Sequence, residues 1–216
     1  MKALNIFLTG CILFSACKKT TENVISKTVT PTYPVITLNG PAGVTLAVGS
    51  GAYTDAGATY YDSINKTTNP LPPLSNNVDP TTAGFYTVNF LAKNVYGYRS
   101  TATRLVLVST ISASDDISGV YKRTSNGQVV NVAKIGTGLY SVDNVGGVAN
   151  NPAFVFPYYI GFTDLNDFQG PSETTPIGTL FLTNTSINRS DPAHTVLKWV
   201  VNNVNFGTSV RTFVKQ

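Results

Sequence analysis

The sequence predicts an all-β chain built as two consecutive domains, a β-sandwich followed by an antiparallel β-barrel or sandwich. Three observations carry this. Charged residues fill only 12% of the 216 positions, and the helix formers Glu and Lys are scarce. Val, Thr, Tyr and Phe, which suit pleated and half-buried strands, are plentiful, with 11 Tyr and 11 Phe. Short apolar runs recur between Gly, Pro and Asn-Gly turns, as expected of successive strands.

The chain opens with Lys2 and an apolar run from Ala3 to Phe14, broken only by Asn5, Thr9 and Gly10. A bilayer span needs about 20 apolar residues, so this run reads as a cleaved export signal. Ser15 and Ala16, small residues directly before Cys17, resemble the bacterial lipobox. That resemblance implies a signal peptide over 1–16 and lipidation at Cys17. Leu8-Thr9-Gly10-Cys11 is a second match, but cleavage there leaves Ile12, Leu13 and Phe14 exposed after the anchor. Both of the chain's 2 cysteines lie in this stretch, so the mature chain keeps one, taken up by lipid. Disulfides, a thiol nucleophile and Cys-based metal sites are thereby excluded. Several acyl chains on one cysteine make a stable anchor. Residues 17–33 then read as anchor and tether: Thr20 to Thr32 is polar without a sustained period, and Pro31 and Pro34 favour extended backbone. An edge strand starting at Val24 and Ile25 is the alternative.

Strands follow between turns. Val35 to Leu38 stops at Asn39-Gly40, a dipeptide that supplies positive φ. Val44 to Val48 ends at Gly49-Ser50-Gly51, and Tyr53 to Tyr61 is interrupted at Gly57. Asn69 to Pro80 holds four prolines, so irregular backbone is expected there. Phe85 to Ala92 alternates, with Tyr86, Val88, Phe90 and Ala92 on one face and Thr87 and Asn89 on the other. Tyr96-Gly97-Tyr98 makes a turn into a strand from Ser100 to Val108. So many short strands in so few residues argue a small β-sandwich.

The residues of this stretch carry a resemblance. Pro34-Val35-Ile36-Thr37-Leu38-Asn39-Gly40, Tyr53-Thr54-Asp55-Ala56-Gly57-Ala58 and Val78-Asp79-Pro80-Thr81-Thr82-Ala83-Gly84-Phe85-Tyr86 resemble the bacterial surface Ig-like domain, as do the Lys93-Asn94-Val95-Tyr96-Gly97 turn and the closing Thr103 to Val108. The resemblance implies an Ig-like β-sandwich over 34–109, used as a spacer or adhesive module in Bacteroidetes-type lipoproteins, and it brings no catalytic residues. Asn94 departs from the Asp usual near that turn, which argues against a calcium-bracing acid. Asp62-Ser63-Ile64 resembles an O-glycosylation acceptor, although an ordinary turn is the default.

Ser109 to Ser114 reads as a short polar linker, and Asp115-Asp116-Ile117-Ser118-Gly119-Val120-Tyr121 opens a second domain over 115–216. Its strands are clearest at 128–135, 139–142, 153–160, 177–182, 195–201 and 209–214. They fit an antiparallel barrel or sandwich. The Asp-x-x-Gly-x-Tyr opening and the final Arg-Thr-Phe-Val-Lys resemble C-terminal domains of Bacteroidetes lipoproteins, some of them lipocalin-like.

Catalysis is poorly provisioned. The single histidine, His194, sits in a turn, and no Gly-x-Ser-x-Gly elbow exists. One histidine falls short of a zinc ligand set, so neither catalytic residues nor a metal or other cofactor are expected. A glycosidase pair would have to come from Asp164, Asp167, Glu173, Asp191 or Asp115-Asp116. Asp164-Leu165-Asn166-Asp167 clusters oxygen atoms of the kind calcium takes, without the alternating acids of a calcium loop. Aromatic residues are the more informative feature, because sugar rings stack on exposed ones. A ligand site would combine Trp199, Tyr158 or Tyr159 with Asp164, Asn166 and Asp167; against it, alternation puts one face of Phe154, Phe156 and Tyr158 in the core, and Trp199 lies in an apolar run. The basic residues behind the net charge of +4 are dispersed, which excludes a nucleic-acid stripe.

The chain therefore reads as a non-catalytic cell-envelope lipoprotein, a binding or adhesion module for glycan in polysaccharide uptake. The alternative is a structural lipoprotein docked to an outer-membrane protein complex. Its expected partner is the membrane through the lipid anchor, at either face of the outer membrane: Lys18 and Lys19 stand where surface-exported lipoproteins carry acids.

Overall fold

The computed structural model describes residues 30–216, of which 32–216 form one compact unit. The expected signal peptide, Cys17 and most of the expected tether lie outside the described residues. All regular structure described is β, apart from two single turns of 3-10 helix.

The first part is a sandwich. One sheet holds β1 (Val35–Leu38), β3 (Ala58–Asp62) and β4 (Thr67–Leu71), antiparallel in the order β1-β3-β4. The other holds β2 (Gly43–Ala47), β5 (Ser75–Asn76), β6 (Gly84–Lys93) and β7 (Arg99–Ser109) in the order β2-β7-β6-β5. Only the β2–β7 pair among these is parallel. Alternation along β6 works as expected: Val88, Phe90 and Ala92 are buried between the sheets with Val106, Ala58 and Leu71. Thr87 and Asn89 face away and join a polar ladder, with Thr103 donating to Asn89 and Asn89 to Ser75.

Two expectations for this part are corrected. The stretch from 69 to 80 is not wholly irregular, since it carries the end of β4 and all of β5. Pro70 is tolerated because β4 is an edge strand, where a missing N–H breaks no ladder. The strand expected from Tyr53 begins only at Ala58, because the residues before it serve a buried charge. Asp55 accepts from Tyr53 Oη (2.7 Å), from Gly57 N–H (2.7 Å) and from the guanidinium of Arg104 on β7. Arg104 also donates to the carbonyls of Pro41 (3.0 Å) and Asn39 (2.7 Å), tying the loops at this end to the sheet. Burial would raise the Asp55 carboxyl, but these hydrogen bonds outweigh it and hold it below the ordinary carboxylate range.

The second part is one eight-stranded antiparallel sheet curled into a half-barrel. Its strands are β8 (Gly119–Arg123), β9 (Val129–Gly136), β10 (Leu139–Val142), β11 (Tyr158–Gly161), β12 (Glu173–Thr175), β13 (Gly178–Asn188), β14 (Val196–Asn202) and β15 (Arg211–Lys215). The order β11-β10-β9-β8-β15-β14-β13-β12 pairs the first and last strands of the domain. The two edges, β11 and β12, follow one another in sequence, and Gly161 bridges to Gln169 between them through two backbone bonds (2.8 and 2.9 Å). The interior is filled by aromatic side chains: Tyr121, Tyr140, Tyr158, Phe162, Phe168, Trp199 and Phe213. The strand expected over 153–160 starts only at Tyr158, because Asn151 caps a 3-10 turn at Pro152–Phe154.

The expected polar linker over 109–114 is in fact a packed joint. Ser109 is buried, and its hydroxyl donates to the Phe162 carbonyl (2.6 Å), while Ile111 enters the core of the second part. The parts also touch directly at Gly161, where a Cβ would collide with Phe85 and Leu107.

Candidate functional site

A groove of about 390 Å³ runs between the two parts. One wall is the polar face of β6 and β7, presenting Thr87, Thr101 and Thr103. The other wall is Tyr159 on β11 together with Pro171 to Thr174, which lead into and form β12. Leu105 and Ala42 supply apolar surface. Strand alternation explains the arrangement on both sides. In β11 the neighbours of Tyr159, Tyr158 and Ile160, point into the half-barrel core, so Tyr159 must point out of it.

Glu173 is the acid in this groove. Burial pushes its carboxyl up to about 7, against a smaller opposing effect from the backbone N–H of Tyr159. Near neutral pH it is therefore partly protonated and both donates and accepts hydrogen bonds. Three threonine hydroxyls, one such carboxyl and a half-buried tyrosine ring suit a polyhydroxylated ligand: the hydroxyls exchange hydrogen bonds and the ring covers an apolar face.

The residues expected to bind ligand are separated by the structure. Trp199 is fully buried, stacked on Phe213 with ring centroids 4.3 Å apart, and its Nε1 donates to the Val145 carbonyl (2.8 Å). Tyr158 is likewise buried, its hydroxyl bound to the Pro171 carbonyl. Both are core residues, unavailable as stacking platforms. Asp164, Asn166 and Asp167 form an exposed turn of their own: Asp164 accepts from the Asn166 N–H (2.7 Å), and Asp167 accepts from Thr185 Oγ1 (2.8 Å). Of the six residues, only Tyr159 lines the groove. The other acids considered for a carboxylate pair are engaged elsewhere: Asp115 with Arg189, Asp116 near Lys134 and Asp191 with His194. Among the described residues, no three His, Cys, Asp or Glu side chains cluster as metal ligands would. The threonine wall escaped notice because a polar strand face reads as merely solvent-facing. Its signal was the pair Thr87 and Asn89 at alternate positions of β6 together with Thr101 and Thr103 at alternate positions of β7.

A second, shallower depression of about 600 Å³ lies beside β13 and β14, where Phe181 and Val204 are exposed next to Asn202 and Asn203.

Residues 36–108 match the family model for the bacterial surface protein, Ig-like domain. The first domain is a bacterial surface Ig-like domain. This agrees with the sandwich architecture of that part. Among solved structures, the lipoprotein BT2262 from Bacteroides thetaiotaomicron is similar over 85% of this chain and 100% of its own, with 22% identity and a TM-score of 0.38. No curated protein matches.

Proposed function

We propose that the chain is a non-catalytic binding module of the cell envelope, anchored through Cys17, that grips glycan in the groove between its two parts. The observation that carries this reading is the pairing of a threonine-lined wall with Tyr159 and a carboxyl that shares its proton near neutral pH. The surface Ig-like domain supports the envelope location. Affinity electrophoresis tests it, with the chain from Lys18 to Gln216 run through gels cast with different polysaccharides. Retardation by one glycan, lost in Tyr159→Ala and weakened in Glu173→Gln, is expected. A chain that migrates freely through every gel, or retardation indifferent to both changes, removes the glycan reading. Incorporation of a labelled fatty acid in cells, abolished by Cys17→Ala, tests the anchor separately.

A second reading, docking to an envelope protein complex, is favoured by the exposed Phe181 and Val204 on the depression beside β14. Crosslinking of the membrane-bound chain to a partner, lost in Phe181→Asp with Val204→Asp, would support that reading over the first.

A further inference from the structure

At the end of the Ig-like domain remote from the second part, the β6–β7 turn presents Val95 and Tyr96, which are 67% and 73% exposed. The backbone that presents this pair is pinned from below. Asn94 is buried beneath it and accepts from the N–H groups of Tyr96 (3.0 Å) and Tyr98 (3.0 Å). The same side chain donates to the Thr32 carbonyl (2.6 Å), and the ring of Tyr33 packs on Tyr98 with centroids 5.3 Å apart. Thr32, with which the compact unit begins, is thus fixed beneath this tip. Residues 32 and 33, expected to belong to a tether, are fixed parts of the domain.

The neighbouring β3–β4 turn reaches the same end, since Ser63 donates to the Tyr33 carbonyl (3.4 Å). It adds the exposed Tyr61 and Lys66, while Lys93 and Arg99 flank the β6–β7 turn. The one acid of these two turns, Asp62, is buried and spent on the N–H groups of Ile64 and Asn65. Tyrosines with an apolar tip and three cations form a surface suited to the headgroup layer of a bilayer with anionic lipid.

We infer that the β6–β7 and β3–β4 turns, with Tyr96 and Val95 at the tip and Lys66, Lys93 and Arg99 around it, dock the Ig-like domain onto the membrane surface. The inference rests on the reading of Cys17 as the anchor, which joins Thr32 to lipid through residues 17–31; the experiment below supplies that anchor chemically, so its failure and the failure of that reading are distinguishable. Strand β7 rises from Arg99 to Ser109, about 33 Å at ~3.3 Å per residue, so docking the tip holds the joint at Ser109 away from the lipid, while the groove opens from Thr101 upward, two residues beyond Arg99.

The test uses the chain from Cys17 to Gln216, which keeps the whole compact unit and has Cys17 as its single thiol. The thiol is coupled to a maleimide lipid in vesicles of brominated phosphatidylcholine and phosphatidylglycerol. In Tyr96→Trp the introduced indole should lose about half its emission to the lipid bromines, a contact expected only for a side chain in the interfacial layer. The native Trp199 is buried and contributes a constant background. Val204→Trp, on the second part, should not be quenched, and Lys93→Glu with Arg99→Glu should relieve the quenching at the tip. No quenching at the tip, equal quenching at both positions, or quenching indifferent to the charge reversal would overturn the inference. So would an emission change on unbrominated vesicles that grows with protein density, which would mean that a second copy covers the tip.

Discussion

At the scale of single residues, Glu173 ties the groove to a measurable property of the fold. Its carboxyl titrates near 4.5 in the unfolded chain and near 7 in the folded one, because folding takes it out of water. The folded state thus holds the proton more tightly, and protons favour folding. The stabilising contribution is complete below about 4.5 and is lost as pH rises through about 7. Glu173→Gln keeps the shape without the charge, so its melting temperature should be higher than that of the native chain at pH 8 and nearly equal at pH 4.5. Calorimetry across that range decides the matter; parallel curves would mean that water reaches the carboxyl and the groove is not closed. Asp55 acts with the opposite sign in acid: its carboxyl is held low, so its contribution is present above the ordinary value of 3.8 and fades as pH falls. Both acids stood in the sequence as ordinary carboxylates. Asp55 was visible as part of a family pattern and Glu173 as one of several candidate acids, but nothing local distinguished either from an exposed residue. Burial is set by distant partners: Arg104 lies 49 positions from Asp55, and the threonine wall belongs to a different sheet from Glu173.

At the scale of elements, alternation along a strand was the part of the fold that could be read directly. The stretch from 139 to 142 is β10 residue for residue, and β6 carries Val88, Phe90 and Ala92 on the expected face. What periodicity does not reveal is a loop held by charge. The guanidinium of Arg104, where β7 passes from its Ser and Thr positions to the apolar run 105–108, is 1% exposed and holds the segment before β3 through Asp55. Arg104→Ala removes the cation and strands Asp55 without its partner, a change that typically costs about 3–5 kcal/mol. Urea unfolding should show a loss of that order with unchanged steepness. A loss below about 1 kcal/mol would mean that Asp55 and the carbonyls of Asn39 and Pro41 find water instead. Asn94 makes the same point at the opposite end of the sandwich. Its amide both accepts from the turn and donates to the Thr32 carbonyl, so a carboxylate at this position would keep the acceptor and lack the donor. Asn94→Asp should therefore free the chain around Thr32, read as faster proteolysis there, while the amides of Tyr96 and Tyr98, whose acceptor is kept, exchange as in the native chain.

At the scale of the whole molecule, the sequence suggests two domains joined by a short polar linker, and the structure packs that linker as a joint. Composition misleads here because Ser109 is polar by type yet satisfied in place by the Phe162 carbonyl, and because Ile111 is one apolar residue in a short polar run. The direct contact depends on Gly161, whose lack of a side chain lets Phe85 and Leu107 rest against β11. A joint with buried residues on both sides couples the two cores, so heating should unfold the chain in one transition with equal calorimetric and van't Hoff enthalpies. Gly161→Val forces those side chains apart. It should split the melt into two steps, with the fluorescence of Trp199 following only the step that belongs to the half-barrel. Because the groove is walled from both sides of this joint, the same variant should lose whatever the native chain retains in the polysaccharide gels, even at temperatures where both cores remain folded. A split melt with undiminished binding would show that one wall suffices, and the site would then have to be sought on β11 and β12 alone.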